Sequence, residues 1–206
     1  MIVNPEIERY MANLLPPRDA VLQEMEEQGA RRDIPIIGPA VARLLAQLVM
    51  INKAKRIFEL GSAIGYSTIW LARAAGEGAE VHYTDGSPEN AREASGYFER
   101  AGVASQIRVH VGDALTSLAQ TAGEFDFIFN DVNKEGYPAV LEAVPSRLKR
   151  GGLFVTDNTL FHEGVLHPQN ERDRAVVEFN RKLYDSAHFF TVLLPIRDGV
   201  SVSLKL

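Results

Sequence analysis

Acidic and amide side chains follow two short apolar runs that have the length of buried strands. Asp131 comes just after the run Phe125 to Phe129, and Asp157 and Asn158 follow the run Leu153 to Thr156. Because the carboxyl ends of neighbouring parallel strands meet at one edge of a sheet, we expect these three oxygen-bearing side chains to converge. Carboxylate and amide oxygens suit Mg²⁺ or a similar divalent ion. An Asx turn is the alternative explanation of the Asp-Asn pair.

Lys134 lies three residues after Asp131 and is expected to reach the same site. A divalent cation nearby disfavours the ammonium form of a lysine, and a neutral lysine can act as a general base toward a weakly acidic group. Lys134 and Asp131 are therefore the predicted catalytic residues. The alternative is that Lys134 is a solvated lysine at the start of a helix.

A glycine-containing turn runs from the end of the first predicted strand, at Glu59, into a helix. Gly61 allows a sharp turn and the close approach of a ligand, and Gly65 opens the helix. Ala63 replaces the middle glycine of the dinucleotide fingerprint, which argues against an NAD-dependent oxidoreductase. The Glu59 carboxylate would repel a pyrophosphate but attract an amino group, so the expected ligand is a nucleoside that carries an amino acid. A tight turn without a ligand is the alternative.

Two more acidic residues follow the second and third predicted strands. Asp85 lies 24 residues after Gly61, close to the separation expected of a carboxylate that accepts hydrogen bonds from ribose hydroxyls. Asp113 is placed to read an adenine amino group, to cap the helix that starts at Ala114, or both.

Three helices are expected before the first strand, and the remainder alternates between strands and helices. The predicted helices run from Pro5 to the stop at Pro16, from Ala20 to Gln28 and from Ala40 to Met50. The predicted strands are Arg56 to Leu60, Glu80 to Tyr83, Ile107 to Val111, Phe125 to Phe129, Leu153 to Thr156, Phe189 to Leu194 and Val200 to Leu204. Asp198 and Gly199 between the last two indicate a hairpin. The predicted fold is α/β: a Rossmann-like, doubly wound, seven-stranded, mostly parallel sheet with an antiparallel C-terminal edge hairpin and extra N-terminal helices.

The 206 residues predict one domain, residues 1–206, with an N-terminal helical segment (1–52) and an α/β core (53–206). The net charge of -5 disfavours nucleic-acid binding, and the absence of cysteine excludes disulfides, zinc-thiolate sites and cysteine nucleophiles. The apolar stretch Ile34 to Ile51 is too interrupted to span a bilayer, and no signal-peptide pattern is visible, so we expect no membrane partner and cytoplasmic residence. An apolar face of Ile7, Met11 and Leu14 on the first helix predicts a homodimer.

Together these segments resemble the cation-dependent catechol and caffeoyl-CoA O-methyltransferase family over nearly the whole chain. The segments that carry the resemblance are Glu59 to Ser67, Gly112 to Ala114, Asp131-x-x-Lys134, Gly151 to Leu153, Asp157-Asn158 and the closing Leu194-Pro195 with Asp198-Gly199. It implies methyl transfer from S-adenosylmethionine to a hydroxyl of a small catechol-like or phenolic acceptor, assisted by a divalent cation such as Mg²⁺.

The resemblance also implies a role for each residue of the site. Cofactor binding is implied for Ile37, Glu59, Gly61, Tyr66, Ser67, Asp85, Asp113, Ala114 and Asp131. Metal binding is implied for Asp131, Asp157 and Asn158, and catalysis for Lys134 with Asp131. The chain departs from relatives at Asn133, where aromatic or acidic residues are common, and at Asn130, which replaces an apolar residue.

Two other functions stay open: metal-independent methyl transfer to another nucleophile, and a non-catalytic cofactor-binding module. The segment Leu160 to Pro168 is a candidate substrate-facing loop. Its histidines, His162 and His167, are more often solvated loop residues than catalysts.

Overall fold

The computed structural model describes residues 4–206, which fold into one seven-stranded sheet with helices on both faces. The strands are β1 (Arg56–Leu60), β2 (Glu80–Asp85), β3 (Ile107–Val111), β4 (Phe125–Asn130), β5 (Leu148–Thr156), β6 (Phe189–Leu194) and β7 (Val200–Lys205). The helices are α1 (Pro5–Asn13), α2 (Ala20–Arg32), α3 (Gly38–Asn52), α4 (Tyr66–Ala75), α5 (Pro88–Arg100), α6 (Ala114–Gln120), α7 (Tyr137–Ala143) and α8 (Glu171–Asp185). Of the predicted N-terminal segment 1–52, the structure describes residues 4–52.

The strands lie in the order β3-β2-β1-β4-β5-β7-β6. The pairs from β3 to β5 are parallel, whereas β7 runs antiparallel to both β5 and β6. The predicted α/β class, the seven strands and the antiparallel C-terminal hairpin are confirmed. The crossover through α8 leaves a gap between β5 and β6, and β7 fills it, so β6 is the edge strand.

Several element boundaries differ from the predictions, and the two largest differences are in α2 and β5. The second helix was predicted to end at Gln28 but continues to Arg32, where Asp33 takes the left-handed conformation with φ 54°. The fifth strand starts at Leu148 instead of Leu153, because Leu148 pairs with Phe125 of β4 before a register shift. Both extensions are rich in Gly, Lys and Arg, which the hydrophobic pattern does not mark as part of a helix or strand.

Two hydrophobic cores fill the space on either side of the sheet. Successive residues of a strand point to opposite faces, so Ile57 packs toward α3, α4 and α5, and Phe58 toward α6, α7 and α8. The first core also includes Leu22 and Met25 of α2. The helices α2 and α3 are therefore part of the domain's core rather than an appendage.

Helix α1 stands apart from both cores. The Asn4 side chain caps it by accepting a hydrogen bond from the Glu6 amide at 2.8 Å, as the sequence predicts. None of its residues is buried, and Ile7 and Leu14 remain 51% and 65% exposed. Within residues 4–206, no helix combines the length and apolar character needed to cross a membrane.

Candidate active site

A cavity of about 960 Å³ opens at the carboxyl ends of the strands, around the point between β1 and β4 where the strand order reverses. Open α/β sheets bind ligands at this position. Almost every predicted site residue lines it: Ile37, Gly61, Tyr66, Ser67, Asp85, Asp113, Ala114, Asp131, Lys134, Asp157 and Asn158. The fold thus brings together residues that lie far apart in the sequence.

The turn between β1 and α4 is packed directly against the end of β4. Gly61 has φ 82°, and a Cβ atom there would lie 2.8 Å from the Asp131 carbonyl oxygen, so no other residue fits without a shift. Ala63, at φ 46°, donates its amide hydrogen to Asp85 at 3.0 Å, and the Tyr83 hydroxyl donates to the Ala63 carbonyl at 2.6 Å. These contacts make the turn a rigid wall of the cavity.

Glu59 lies behind this wall and does not line the cavity. Its carboxyl is fully buried, accepts a hydrogen bond from the Thr68 hydroxyl, and leaves Oε1 without a partner in the described chain. Burial raises the pKa of Glu59 to about 7, against the lowering effect of the nearby Ser67, Thr68 and Ser62 side chains. Glu59 thus packs behind the turn, where it is bonded to Thr68 of α4. Its direct contact with a ligand stays a prediction.

The Asp85 carboxylate lines the cavity at the end of β2. It accepts hydrogen bonds from the Ser87 amide at 2.8 Å, the Asn90 side chain at 3.1 Å and the Ala63 amide at 3.0 Å. A carboxylate has about four acceptor positions, so about one remains for a ligand hydroxyl. Asn90, which also lines the cavity, is a polar neighbour that no sequence motif indicated.

Asp113 serves as the N-cap of α6, one of its two predicted roles. Its carboxylate accepts hydrogen bonds from the Thr116 amide and the Thr116 hydroxyl, both at 2.7 Å. It also lines the cavity with Ala114, so the predicted role toward a base stays available.

Lys134 occupies the centre of the predicted metal and base site. Its ammonium donates hydrogen bonds to Asn158 Oδ1 at 2.6 Å and to Asp131 Oδ1 at 3.2 Å. Asp157 is only 3% exposed, and its Oδ1 finds no partner among residues 4–206. The Tyr137 hydroxyl donates to the Asp157 carbonyl at 2.7 Å and so holds the end of β5. All four predicted polar groups therefore face one end of the cavity.

The two carboxyls of this site suit a cation. Burial raises the pKa of Asp131 to about 6, although Lys134 opposes the rise. Burial, and next the charge of Asp131, raise the pKa of Asp157 to about 7. The set of two carboxylates and the Asn158 amide oxygen consists of hard donors, and the unpartnered Asp157 oxygen is available, so these residues fit Mg²⁺. No cluster of three or more His, Cys, Asp and Glu side chains with metal-binding placement occurs in the described part of the chain.

The turn between β6 and β7, predicted only as a hairpin, forms a further wall of the cavity. The Leu160 amide donates to the Asp198 carbonyl at 2.7 Å, and His162 Nδ1 lies 2.9 Å from the Asp198 carboxylate. Phe161, His162, Arg197 and Asp198 all line the cavity. The predicted substrate-facing loop thus reaches the site through its first residues, whereas its second histidine does not line it.

The two departures from the family pattern have different surroundings. Asn133 lines the cavity beside Lys134. Asn130 is fully buried, does not line the cavity, and its Nδ2 has no partner within the described residues. Only Asn133 is therefore placed to contact an acceptor.

Comparison of the sequence with known proteins identifies the family of the chain. The profile of a family described as O-methyltransferase matches residues 16–206. The catechol O-methyltransferase of Mycobacterium tuberculosis is 31% identical over 172 residues, which are 82% of this chain and 78% of that protein. The catechol O-methyltransferase of Niastella koreensis is 32% identical over 176 residues, which are 82% of this chain and 79% of that protein.

Solved structures agree with the sequence comparison. The O-methyltransferase from Bacillus cereus in complex with SAH superposes with a TM-score of 0.88 at 28% identity, covering 98% of this chain and 97% of that one. The predicted family is confirmed by motif, sequence and fold over nearly the whole chain. This chain belongs to the O-methyltransferase family.

Proposed function

We propose that this S-adenosylmethionine-dependent O-methyltransferase methylates one hydroxyl of a small catechol-like or phenolic acceptor, with the assistance of a divalent cation, Mg²⁺. The observation that carries the proposal is the contact of the Lys134 ammonium with Asp131 and Asn158, next to the unpartnered Asp157 oxygen. Two relatives that carry the name catechol O-methyltransferase support the acceptor class.

The cavity walls support an assignment of the two ends of the cofactor. Asp85 is the candidate ligand of the ribose, and Asp113 with Ala114 borders the adenine. Gly61 and Ser67 border the methionine end. Ile37 and Tyr66 also line the cavity. The Tyr66 hydroxyl donates a hydrogen bond to Glu26 of α2 at 2.7 Å.

At the other end, Asp131, Asp157 and Asn158 would hold the cation. When bound, a divalent cation lowers the pKa of a hydroxyl that it contacts. Lys134 is placed to accept the hydroxyl proton on Nζ, provided that it is neutral at that moment. The acceptor oxygen then forms the new bond to the methyl carbon while the bond between sulfur and that carbon breaks, leaving a neutral thioether. The rigid turn at Gly61 and the short contacts of Lys134 supply the positioning that such a displacement needs.

One observation favours metal-independent transfer as a second candidate. The Lys134 ammonium already bridges Asp131 and Asn158, so a protonated lysine can neutralise the site without an ion. If no metal is required, Lys134 would supply the positive charge of the site and would not act as a base.

Dialysis against EDTA separates the two candidates. With catechol as the acceptor, we expect the treated protein to lose turnover and to recover it when Mg²⁺ is added, while calorimetry shows unchanged binding of S-adenosylhomocysteine. NAD should not bind. Full turnover after EDTA treatment would contradict metal assistance but not methyl transfer.

A further inference from the structure

Arg197 is a cation in the cavity wall with no ion-pair partner within residues 4–206. Its Nη1 donates one hydrogen bond, to the Ile36 carbonyl oxygen at 3.1 Å, and the side chain is exposed. Arg32, which lines the same cavity, differs because both its terminal nitrogens bind the Glu93 carboxylate, at 2.6 and 3.0 Å. A guanidinium has five donors, so most of those of Arg197 are free.

The fold keeps Arg197 at this place in spite of an unfavourable backbone conformation. Its φ is 50°, in the left-handed region that non-glycine residues rarely adopt. Gly38 leaves room for the guanidinium, since a Cβ atom there would lie 3.2 Å from Nη1. The next residues are bonded to the loop that follows the metal candidates: the Thr159 amide donates to the Gly199 carbonyl at 2.9 Å. The turn therefore holds the Arg197 backbone at a set position in the wall.

The guanidinium lies at the acceptor end of the cavity. The turn that carries it is bonded to the segment directly after Asn158, because the Leu160 amide donates to the Asp198 carbonyl oxygen at 2.7 Å. Asn133 and His162 also line the cavity, and His162 Nδ1 lies 2.9 Å from the Asp198 carboxylate in the same turn. A wall of this character suits a charged acceptor better than a purely apolar ring.

We propose that Arg197 forms an anion subsite, and that the acceptor is a catechol-type compound whose ring carries a carboxylate. This inference rests on the proposed function, because that function puts the two ring hydroxyls beside Lys134. The planar guanidinium matches a carboxylate in a paired, two-hydrogen-bond arrangement. Arg197 would then select the acceptor without taking part in the methyl transfer.

The test compares 3,4-dihydroxybenzoate with 3,4-dihydroxybenzamide, which has the same ring hydroxyls but no charge. In the wild type we expect the acid to have a kcat/KM at least about tenfold above that of the amide. Arg197→Gly removes the guanidinium and suits the positive φ, so the fold should tolerate it. In this variant the kcat/KM of the acid should fall about 10- to 100-fold more than that of the amide, through KM.

Arg32→Gln is the matched control, because it removes a cavity cation that is already paired, and it should keep the acid-to-amide ratio of the wild type. Equal efficiency of the wild type on both acceptors, or a proportional loss on both in Arg197→Gly, would overturn the anion subsite alone. Turnover of neither acceptor by a wild-type protein that still binds S-adenosylhomocysteine would instead contradict the proposed acceptor class, and the subsite with it.

Discussion

Replacement of Glu59 by glutamine tests the electrostatics beneath the cofactor turn. The buried carboxyl has its pKa raised from the ordinary 4.5 to about 7. Each pKa unit corresponds to about 1.4 kcal/mol, so ionised Glu59 lowers the free energy of unfolding by about 3 kcal/mol. Glutamine keeps the shape of the side chain and an oxygen for the Thr68 hydroxyl, but it carries no charge at any pH.

The free energy of unfolding depends on pH because the folded protein and the unfolded chain release the Glu59 proton at different pH values. Above about pH 4.5 the unfolded chain releases the Glu59 proton, whereas the folded protein keeps it until about pH 7. The free energy of unfolding of the wild type therefore falls over that window and levels off above it. Asp131 and Asp157 add to the fall in both proteins, and the Glu59 charge contributes to the raised pKa of Asp131, so the difference between the two proteins reports the Glu59 charge together with this smaller effect.

Urea unfolding at about pH 5 and about pH 8, without cofactor, measures this difference. From the lower to the higher pH, Glu59→Gln should gain about 2.5 kcal/mol relative to the wild type, because part of the effect has already developed below pH 5. Glu27→Gln, which removes an exposed carboxylate from α2, controls for the loss of one negative charge. Wild-type and Glu59→Gln stabilities that change in parallel with pH would refute the argument that burial governs this carboxyl.

Three other predictions follow from the site and from α1. Asp85→Ala should weaken S-adenosylhomocysteine binding by about 1 to 3 kcal/mol in calorimetry, since a ligand hydroxyl is left unpaired, and an unchanged affinity would contradict its role. Asp157→Ala should bind metal more weakly and recover part of its rate when Mg²⁺ is added. Lys134→Ala should have a lower kcat that rises with pH, with unchanged affinity for S-adenosylhomocysteine. Equal rescue of both variants by Mg²⁺ would contradict these separate roles. The exposed apolar face of α1 predicts a homodimer, and a monomer mass in light scattering would contradict it.

Local sequence patterns were sufficient to predict the main outline of the site. Asp85, Asp131 and Asp157 each follow an apolar run that forms a strand, and parallel strands end at the same edge of their sheet. Their convergence is therefore a consequence of strand and helix alternation alone. The Gly61 turn was also predictable, because no other residue type suits the conformation and close packing found there.

The inward position of β7 could not be predicted from hydrophobic patterns. Alternating residues predict the hairpin of β6 and β7, but they do not say which of its strands pairs with β5. That choice depends on the position at which the chain returns to the sheet after α8, which is set by packing across the domain.

By itself, the sequence determined the order of the elements, the α/β class and the set of polar residues at the strand ends, because these depend on neighbours within a few positions. Tertiary structure alone decided that Glu59 lies behind the cavity wall, that Lys134 reaches Asn158, and that Arg197 lines the cavity. Each of these depends on contacts between segments distant in the chain, such as the hydrogen bond from Leu160 to the hairpin turn. Such contacts form only when the whole core packs. The spacing of residues determines which side of a helix or strand a side chain is on, but not which other element lies close to it.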